Sequence, residues 1–312
     1  MENNIQLKEM IRSMVIDVLE GKKQETASSQ RINQASRGQV EPGVFDTVDE
    51  AIQAAKVAQE RFEDCTLATR EKVIADIRAA MRPRVQELAL KTVEETGMGR
   101  VADKVLKLNL TLDKTPGVED LVTECETGDN GMTLYELSAY GVIGAITPST
   151  NPAETLICNT IGMLAAGNAV FFSVHPGAKH LSRLLVSELN QIIFKSIGIE
   201  NLIVTLSEPS IESAQEMMVH PDVSLLVVTG GPGVVKQALQ SGKKVIGAGA
   251  GNPPAFVDET ADIKKAAQDI VLGASLDNNI LCIAEKSVVA MRQIEPQLVQ
   301  EMVRVGCVLV EN

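Results

Sequence analysis

Tryptophan is absent from this 312-residue chain, and two tyrosines and six phenylalanines bring the aromatic share to only 3%. Any core must therefore be aliphatic. Basic residues are outnumbered, 29 against 41 acidic, for a net charge of −12. That balance argues against a nucleic-acid surface, because a phosphate backbone needs clustered Lys and Arg. A small anionic cofactor is still admissible, since backbone N–H groups and a helix N-terminus can hold one. The five cysteines (65, 125, 158, 282 and 307) form no C-x-x-C pair. An odd, widely spaced set in a chain of this length fits a reducing cytosol and no disulfide framework. The three histidines (175, 180 and 220) never stand at metal-ligand spacing from Cys or Glu, so no metal site is read. No apolar run is long enough to cross a membrane. The start is acidic and amide-rich and has no cleavage site after an apolar core, which excludes a secretory signal.

What is present is 45% apolar residues and 23 glycines, in a length that accommodates about two domains. Residues 1–20 read as an amphipathic helix: Leu7, Met10, Ile11, Met14, Val15, Val18 and Leu19 recur at three- and four-residue intervals. Residues 21–42 are polar and rich in Ser, Gln and Asn, the composition of a flexible linker. A stripe on a tether must be buried against its own body, within an oligomer, or against a partner. From Gly43 the chain becomes globular. Helices are predicted over Val48–Glu63, Thr69–Glu95 and Val101–Asp113, with Pro83 kinking or restarting the second. Gly128-Asp129-Asn130-Gly131 is a turn, followed by strands over Met132–Ser138 and Gly141–Thr147.

A regular alternation follows. Strands are expected at Gly141–Ile146, Ala169–Ser173, Asn201–Leu206, Ser224–Val228 and Lys244–Ile246. Helices are expected between them at Ala153–Ala166, Ala178–Ile193, Ile211–Val219 and Gly233–Gln240. Continuous apolar strands alternating with amphipathic helices make an α/β fold, a parallel sheet with helices on both faces. Such sheets bind ligands at the carboxyl ends of their strands. Thr229-Gly230-Gly231-Pro232-Gly233 falls at one of those ends and could let a pyrophosphate approach a helix N-terminus, although it is not the G-x-G-x-x-G fingerprint. Late in the chain, a helical run over Asp262–Leu272 leads through the polar turn Asp277-Asn278-Asn279 to Cys282, and a strand follows over Ser287–Met291. By itself a Cys beside Ile280, Leu281 and Ile283 is ordinarily a small buried hydrophobe.

Four segments in order change that reading: Thr147-Pro148-Ser149-Thr150-Asn151-Pro152, Val228-Thr229-Gly230-Gly231, Gly247-Ala248-Gly249-Ala250-Gly251-Asn252-Pro253-Pro254, and the Cys282 loop. Together they resemble the aldehyde dehydrogenase superfamily. Glu95-Thr96-Gly97-Met98-Gly99, Thr115-Pro116-Gly117-Val118-Glu119 and Asp277-Asn278-Asn279 narrow the resemblance to the CoA-acylating aldehyde dehydrogenases of ethanolamine and propanediol utilisation. The likeness implies a Rossmann-like NAD-binding domain over residues 43–250, with part of an oligomerisation hairpin near 128–147. Residues 251–312 would begin a second α/β catalytic domain. Relatives are expected to continue well beyond Asn312, so the chain is read as C-terminally truncated.

The resemblance also implies roles. Cys282 would be the nucleophile and Asn151 the oxyanion-hole amide. Thr147, Pro148, Ser149, His175, Thr229, Gly230, Gly231 and Gly249 would bind the cofactor, NAD, with CoA as cosubstrate. Near Ser173–His175 the superfamily often places a Lys against the adenosine ribose; this chain has none there. Hydrolytic relatives carry a water-activating Glu where this chain has Ala248, so an acyl group would pass to a thiol in preference to water. The implied activity is oxidation of acetaldehyde or propionaldehyde, with CoA and NAD, to acyl-CoA and NADH. The alternative is a truncated, catalytically impaired cargo protein that keeps the nucleotide-binding fold. Residues 1–20 would then recruit a cytoplasmic homo-oligomer to the shell of a bacterial microcompartment.

Overall fold

The computed structural model describes residues 41–310. The amphipathic segment 1–20 and nearly all of the linker lie outside the described residues. In chain order the described elements are β1 (Val44–Phe45), α1 (Val48–Glu63), α2 (Leu67–Met81), α3 (Val85–Thr96), α4 (Val101–Lys114), β2 (Glu124–Gly128), β3 (Gly131–Tyr135) and β4 (Val142–Ile146). They continue with α5 (Pro152–Ala165), β5 (Ala169–Ser173), α6 (Lys179–Ile197), β6 (Ile203–Leu206), α7 (Ile211–Val219), β7 (Val223–Thr229), α8 (Pro232–Leu239), β8 (Lys244–Ala248), β9 (Pro254–Val257), α9 (Ile263–Ser275), β10 (Ser287–Ala290) and α10 (Glu295–Arg304).

Local signals account for most boundaries. The Thr47 side chain accepts the Glu50 N–H and caps α1, whose buried Ala51, Ile52, Ala55, Ala58 and Phe62 recur at helical spacing. The restart expected at Pro83 within Thr69–Glu95 is present, as two helices. Arg82-Pro83-Arg84 forms a 3₁₀ turn between α2 and α3, because Pro83 has no N–H to continue the ladder. α3 then stops at Gly97, which is left-handed with φ 66°.

Six strands form one parallel sheet in the order β1-β6-β5-β4-β7-β8. Every residue of β4, β5 and β6 is buried, which explains their unbroken apolar sequences. The α/β expectation therefore holds, with Phe62, Phe171 and Phe172 the only aromatic side chains in an otherwise aliphatic main core among the described residues. The edge strand β8 is mostly exposed and begins at Lys244, a charge that discourages further pairing. From β4 the chain builds outward through β5 and β6, then returns to place β7 on the other side of β4. The gap between β4 and β7 is the topological switch point, where crossovers leave to opposite sides and a crevice opens.

Some elements differ from expectation. The turn expected at Gly128–Gly131 closes a hairpin of β2 and β3, whose first strand precedes the expected bounds of 128–147; the two strands pair antiparallel and are exposed at every position. Residues 142–146 belong to the centre of the main sheet, because Val-Ile-Gly-Ala-Ile is apolar on both faces. The short strands β1 and β9 and the helix α10 were not anticipated. β9 pairs with β10 in a separate parallel pair over a small core of Val257, Ala267, Ile270 and Leu298.

Candidate active site

At the switch point the chain leaves β4 through Thr147–Asn151 into α5, and leaves β7 through Gly230 and Gly231 into α8. A cleft of about 500 Å³ opens between these turns. All ten residues singled out from the sequence line it: Thr147, Pro148, Ser149, Asn151, His175, Thr229, Gly230, Gly231, Gly249 and Cys282. Thr150, Ser210, Ile211, Val234, Ile280 and Lys286 line it as well and were not anticipated. Among the described residues that line it there is neither Asp nor Glu, and Ala248 forms part of the wall.

Cys282 is exposed, on a segment with unusual backbone. Asp277, Asn278 and Asn279 have φ of 49°, 55° and 60°, three successive left-handed residues. Asp and Asn are the side-chain-bearing residues that tolerate this region best, which accounts for the D-N-N sequence. Two side chains then satisfy the loop's carbonyls. Asn279 donates to Ala274 O at 2.6 Å and Glu285 O at 3.0 Å. Lys286 Nζ donates to Asn279 Oδ1 at 2.6 Å and Leu281 O at 2.8 Å, closing the loop around the thiol. From the opposite side Gly251 abuts the loop backbone: a Cβ there would lie 2.0 Å from the Cys282 carbonyl oxygen.

Asn151 occupies the N-cap position of α5, followed by Pro152, yet its side chain makes no capping bond. Its Oδ1 accepts from Lys107 Nζ, and its Nδ2 donates to Thr150 Oγ1 at 3.2 Å. His175 begins the 3₁₀ turn Pro176–Ala178 and accepts the Gly177 N–H at Nδ1, at 3.0 Å. Its imidazole is thereby committed to the turn, with Nε2 as its other nitrogen.

Residues 19–305 match the model of the aldehyde dehydrogenase family. The chain belongs to that family. It is similar to the propanal dehydrogenase (CoA-propanoylating) of Salmonella typhimurium, with 50% identity over 287 residues, 91% of this chain and 62% of that protein. It is also similar to a propionaldehyde dehydrogenase from the fucose-utilisation bacterial microcompartment of Clostridium phytofermentans. That structure superposes with a TM-score of 0.84 at 50% identity, covering 87% of this chain and 63% of that one. The propionaldehyde dehydrogenase of Rhodopseudomonas palustris, solved with bound CoA and an acylated cysteine, has a TM-score of 0.84 and 49% identity over 88% of this chain and 63% of that one. The chain thus spans less than two thirds of the length of these relatives.

Behind the cleft this chain buries four charges that sequence reasoning missed. Lys104 and Asp277 are fully buried, and Lys107 and Glu154 nearly so. Asp277 Oδ2 meets Lys104 Nζ at 3.0 Å and Lys107 Nζ more closely still, and Glu154 Oε1 lies 3.3 Å from Lys107 Nζ. Asp277 Oδ1 accepts the Arg100 N–H at 2.8 Å. A buried ion costs several kcal/mol unless paired, and here two ammonium groups face two carboxylates. Burial by itself pushes the Asp277 carboxyl up, but the bonds from Lys107, the Arg100 N–H and Lys104 outweigh it and hold the group below the usual carboxylate value. Burial pulls Lys104 below the usual lysine value, only partly offset by the charge of Glu154. The available signal was positional: Lys104 falls on the buried stripe of α4 with Leu108 and Leu112, where an amphipathic helix ordinarily has apolar residues.

Among the described residues no helix is long and apolar enough to cross a membrane, and no group of three His, Cys, Asp or Glu side chains could hold a metal ion.

Proposed function

We propose that this chain carries the nucleophile and nucleotide site of a CoA-acylating aldehyde dehydrogenase acting on a short aliphatic aldehyde such as propionaldehyde or acetaldehyde. The observation that carries the reading is the cleft itself: an exposed thiol and a carboxamide share it, with no carboxylate among the described residues that line it. The relatives named for CoA-propanoylating activity and solved with CoA and an acylated cysteine support the same chemistry.

In this reading the Cys282 thiolate adds to the aldehyde carbonyl carbon. A C–S bond forms and the carbonyl π electrons move to oxygen. The resulting oxyanion accepts N–H groups from Asn151 Nδ2 and the Cys282 backbone, one such donor being worth about 3 kcal/mol in the transition state. For a nicotinamide cofactor, NAD, the fit rests on the bare backbone of Gly230 and Gly231 at the switch point, which admits a close-lying pyrophosphate. Bound there, it would supply a two-electron acceptor for the hydrogen on the Cys282-bound carbon, which leaves as hydride. An acyl thioester remains on Cys282. The thiolate of CoA then attacks the acyl carbon, and Cys282 leaves as thiolate. A free thiol has a pKa of about 8.5, so a useful fraction is already nucleophilic near neutrality, whereas water needs a base. Ala248 supplies none.

The test is NADH formation from propionaldehyde with and without CoA. Turnover that requires CoA and disappears in Cys282→Ala is expected. CoA-independent turnover would refute the thiol acceptor, and no turnover with NAD still bound would favour a non-catalytic cargo role. We further propose that the protein works as a homo-oligomer inside a bacterial microcompartment, docked to a shell protein through residues 1–20. One relative's microcompartment origin supports this. Deleting residues 1–20 is expected to abolish co-sedimentation with shells, and retained co-sedimentation would refute the docking role.

A further inference from the structure

An ammonium group has three hydrogen-bond donors and no acceptor. The atom of Asn151 that meets Lys107 Nζ is therefore the carboxamide oxygen, and the NH2 end is turned away from it. One N–H of that group goes to Thr150 Oγ1. The second is left for the cleft that Asn151 lines. A carboxamide held only through Thr150, whose hydroxyl can donate as well as accept, could turn over and present its oxygen to the cleft. There it would repel an oxyanion. Lys107 is the contact that distinguishes the two ends.

Lys107 is itself held from two other elements, by Asp277 and by Glu154 at the start of α5. Asp277 lies on the Cys282 segment and is anchored at both oxygens, to the Arg100 N–H and to the two lysines. Its own backbone N–H donates to Asp103 Oδ2 at 3.0 Å. The preceding turn leaves space for this carboxylate only because residue 99 is glycine, with φ of 80°; a Cβ there would lie 2.1 Å from Asp277 Oδ1. Lys104 reaches the same Asp277 Oδ2 and donates to Thr150 O at 2.5 Å. The turn bearing Asn151 and the segment bearing Cys282 thus meet at one carboxylate, through two lysines on one face of α4.

We propose that Lys107, clamped by Asp277, is a positioning residue that fixes which end of the Asn151 carboxamide faces the cleft and couples that orientation to the Cys282 segment. The proposal rests on the oxyanion role assigned above to Asn151. The experiment has two readouts. In protein labelled with ¹⁵N-asparagine, the Asn151 side-chain NH2 resonances are identified by their loss in Asn151→Ala. Lys107→Met is expected to shift them and to speed their exchange with water. In turnover assays Lys107→Met is expected to lower kcat by about 10²-fold, the scale of one oxyanion donor, with KM for NAD unchanged. Adding Asn151→Ala to it is expected to cause no further loss, because the two act as one unit. Should Lys107→Met not fold, the charge-balanced double variant Lys107→Met, Asp277→Asn replaces it, leaving Lys104 opposite Glu154. Unchanged Asn151 resonances in either background overturn the proposal. So does an Asn151→Ala effect of the same size in both backgrounds. If Asn151→Ala leaves kcat of the unmodified protein intact, the oxyanion role fails instead, and the turnover half of the proposal with it.

Discussion

Gly251→Ala isolates the contact between the glycine segment and the nucleophile. The new Cβ would sit 2.0 Å from the Cys282 carbonyl oxygen and 2.9 Å from its carbonyl carbon, both inside the 3.0 Å limit that Cβ atoms respect. Those atoms are backbone, so no side-chain rotation relieves the clash, and the two segments must separate by about 1 Å. A displacement of about 1 Å at reacting groups costs on the order of 10²-fold in rate, or about 2.7 kcal/mol of barrier. The expected outcome is a CoA-dependent kcat reduced by about two orders of magnitude. Alkylation of Cys282 by iodoacetamide, followed by peptide mass spectrometry, should change rate in parallel. The comparison is Gly162→Ala on α5, where a Cβ meets nothing within 4 Å. That change should leave kcat intact and raise stability by about 0.5–1 kcal/mol through helix propensity. Near-normal turnover and unaltered Cys282 reactivity in Gly251→Ala would refute the claim that this close approach sets the position of the nucleophile.

Further outcomes follow from other features. Ala248→Glu places a carboxylate in the cleft wall and is expected to divert acyl-enzyme to water, measured as CoA-independent acid release; unchanged partitioning would show that the wall does not choose the acceptor. Asp277 titrates below the ordinary carboxylate value in the folded protein, so its contribution to stability is complete above its unfolded pKa of about 3.9 and is lost as pH falls through the lower folded value. Thermal melts of Asp277→Asn should therefore lie below those of the parent near neutrality and converge with them in strong acid; a constant gap would contradict the linkage. Phe172→Ala removes a fully buried ring from β5 and should cost about 3–5 kcal/mol, read as a lower urea midpoint with an unchanged slope. Lys286→Met removes the bonds that close the loop around Cys282 and should speed proteolysis between Leu276 and Ser287 in native conditions.

The legibility of the elements tracked how much of their environment was periodic. Val48–Glu63 was recovered to the residue, because Ala51, Ile52, Ala55 and Phe62 make a clean helical stripe between a Thr cap and the polar break at Asp64. The central strands were readable because a parallel strand buried on both faces must be apolar throughout. The first strand of the β2–β3 hairpin was missed for the converse reason: with all ten residues exposed, nothing constrains its alternation. β9 is only four residues long and begins at Pro254, a residue that ordinarily argues against a strand.

Sequence by itself determined the class of fold, through apolar runs and glycine turns, and its ordered motifs carried the family resemblance that named ten of the residues lining the cleft. Only the tertiary structure revealed that Lys104, Lys107, Asp277 and Glu154 form one buried cluster and that it touches Asn151. Those residues are separated by up to 173 positions, from Lys104 to Asp277, and no local pattern pairs one with another. What joins them is packing: a charge can stay dry only where an opposite charge from another element arrives, and that meeting is a property of the assembled fold.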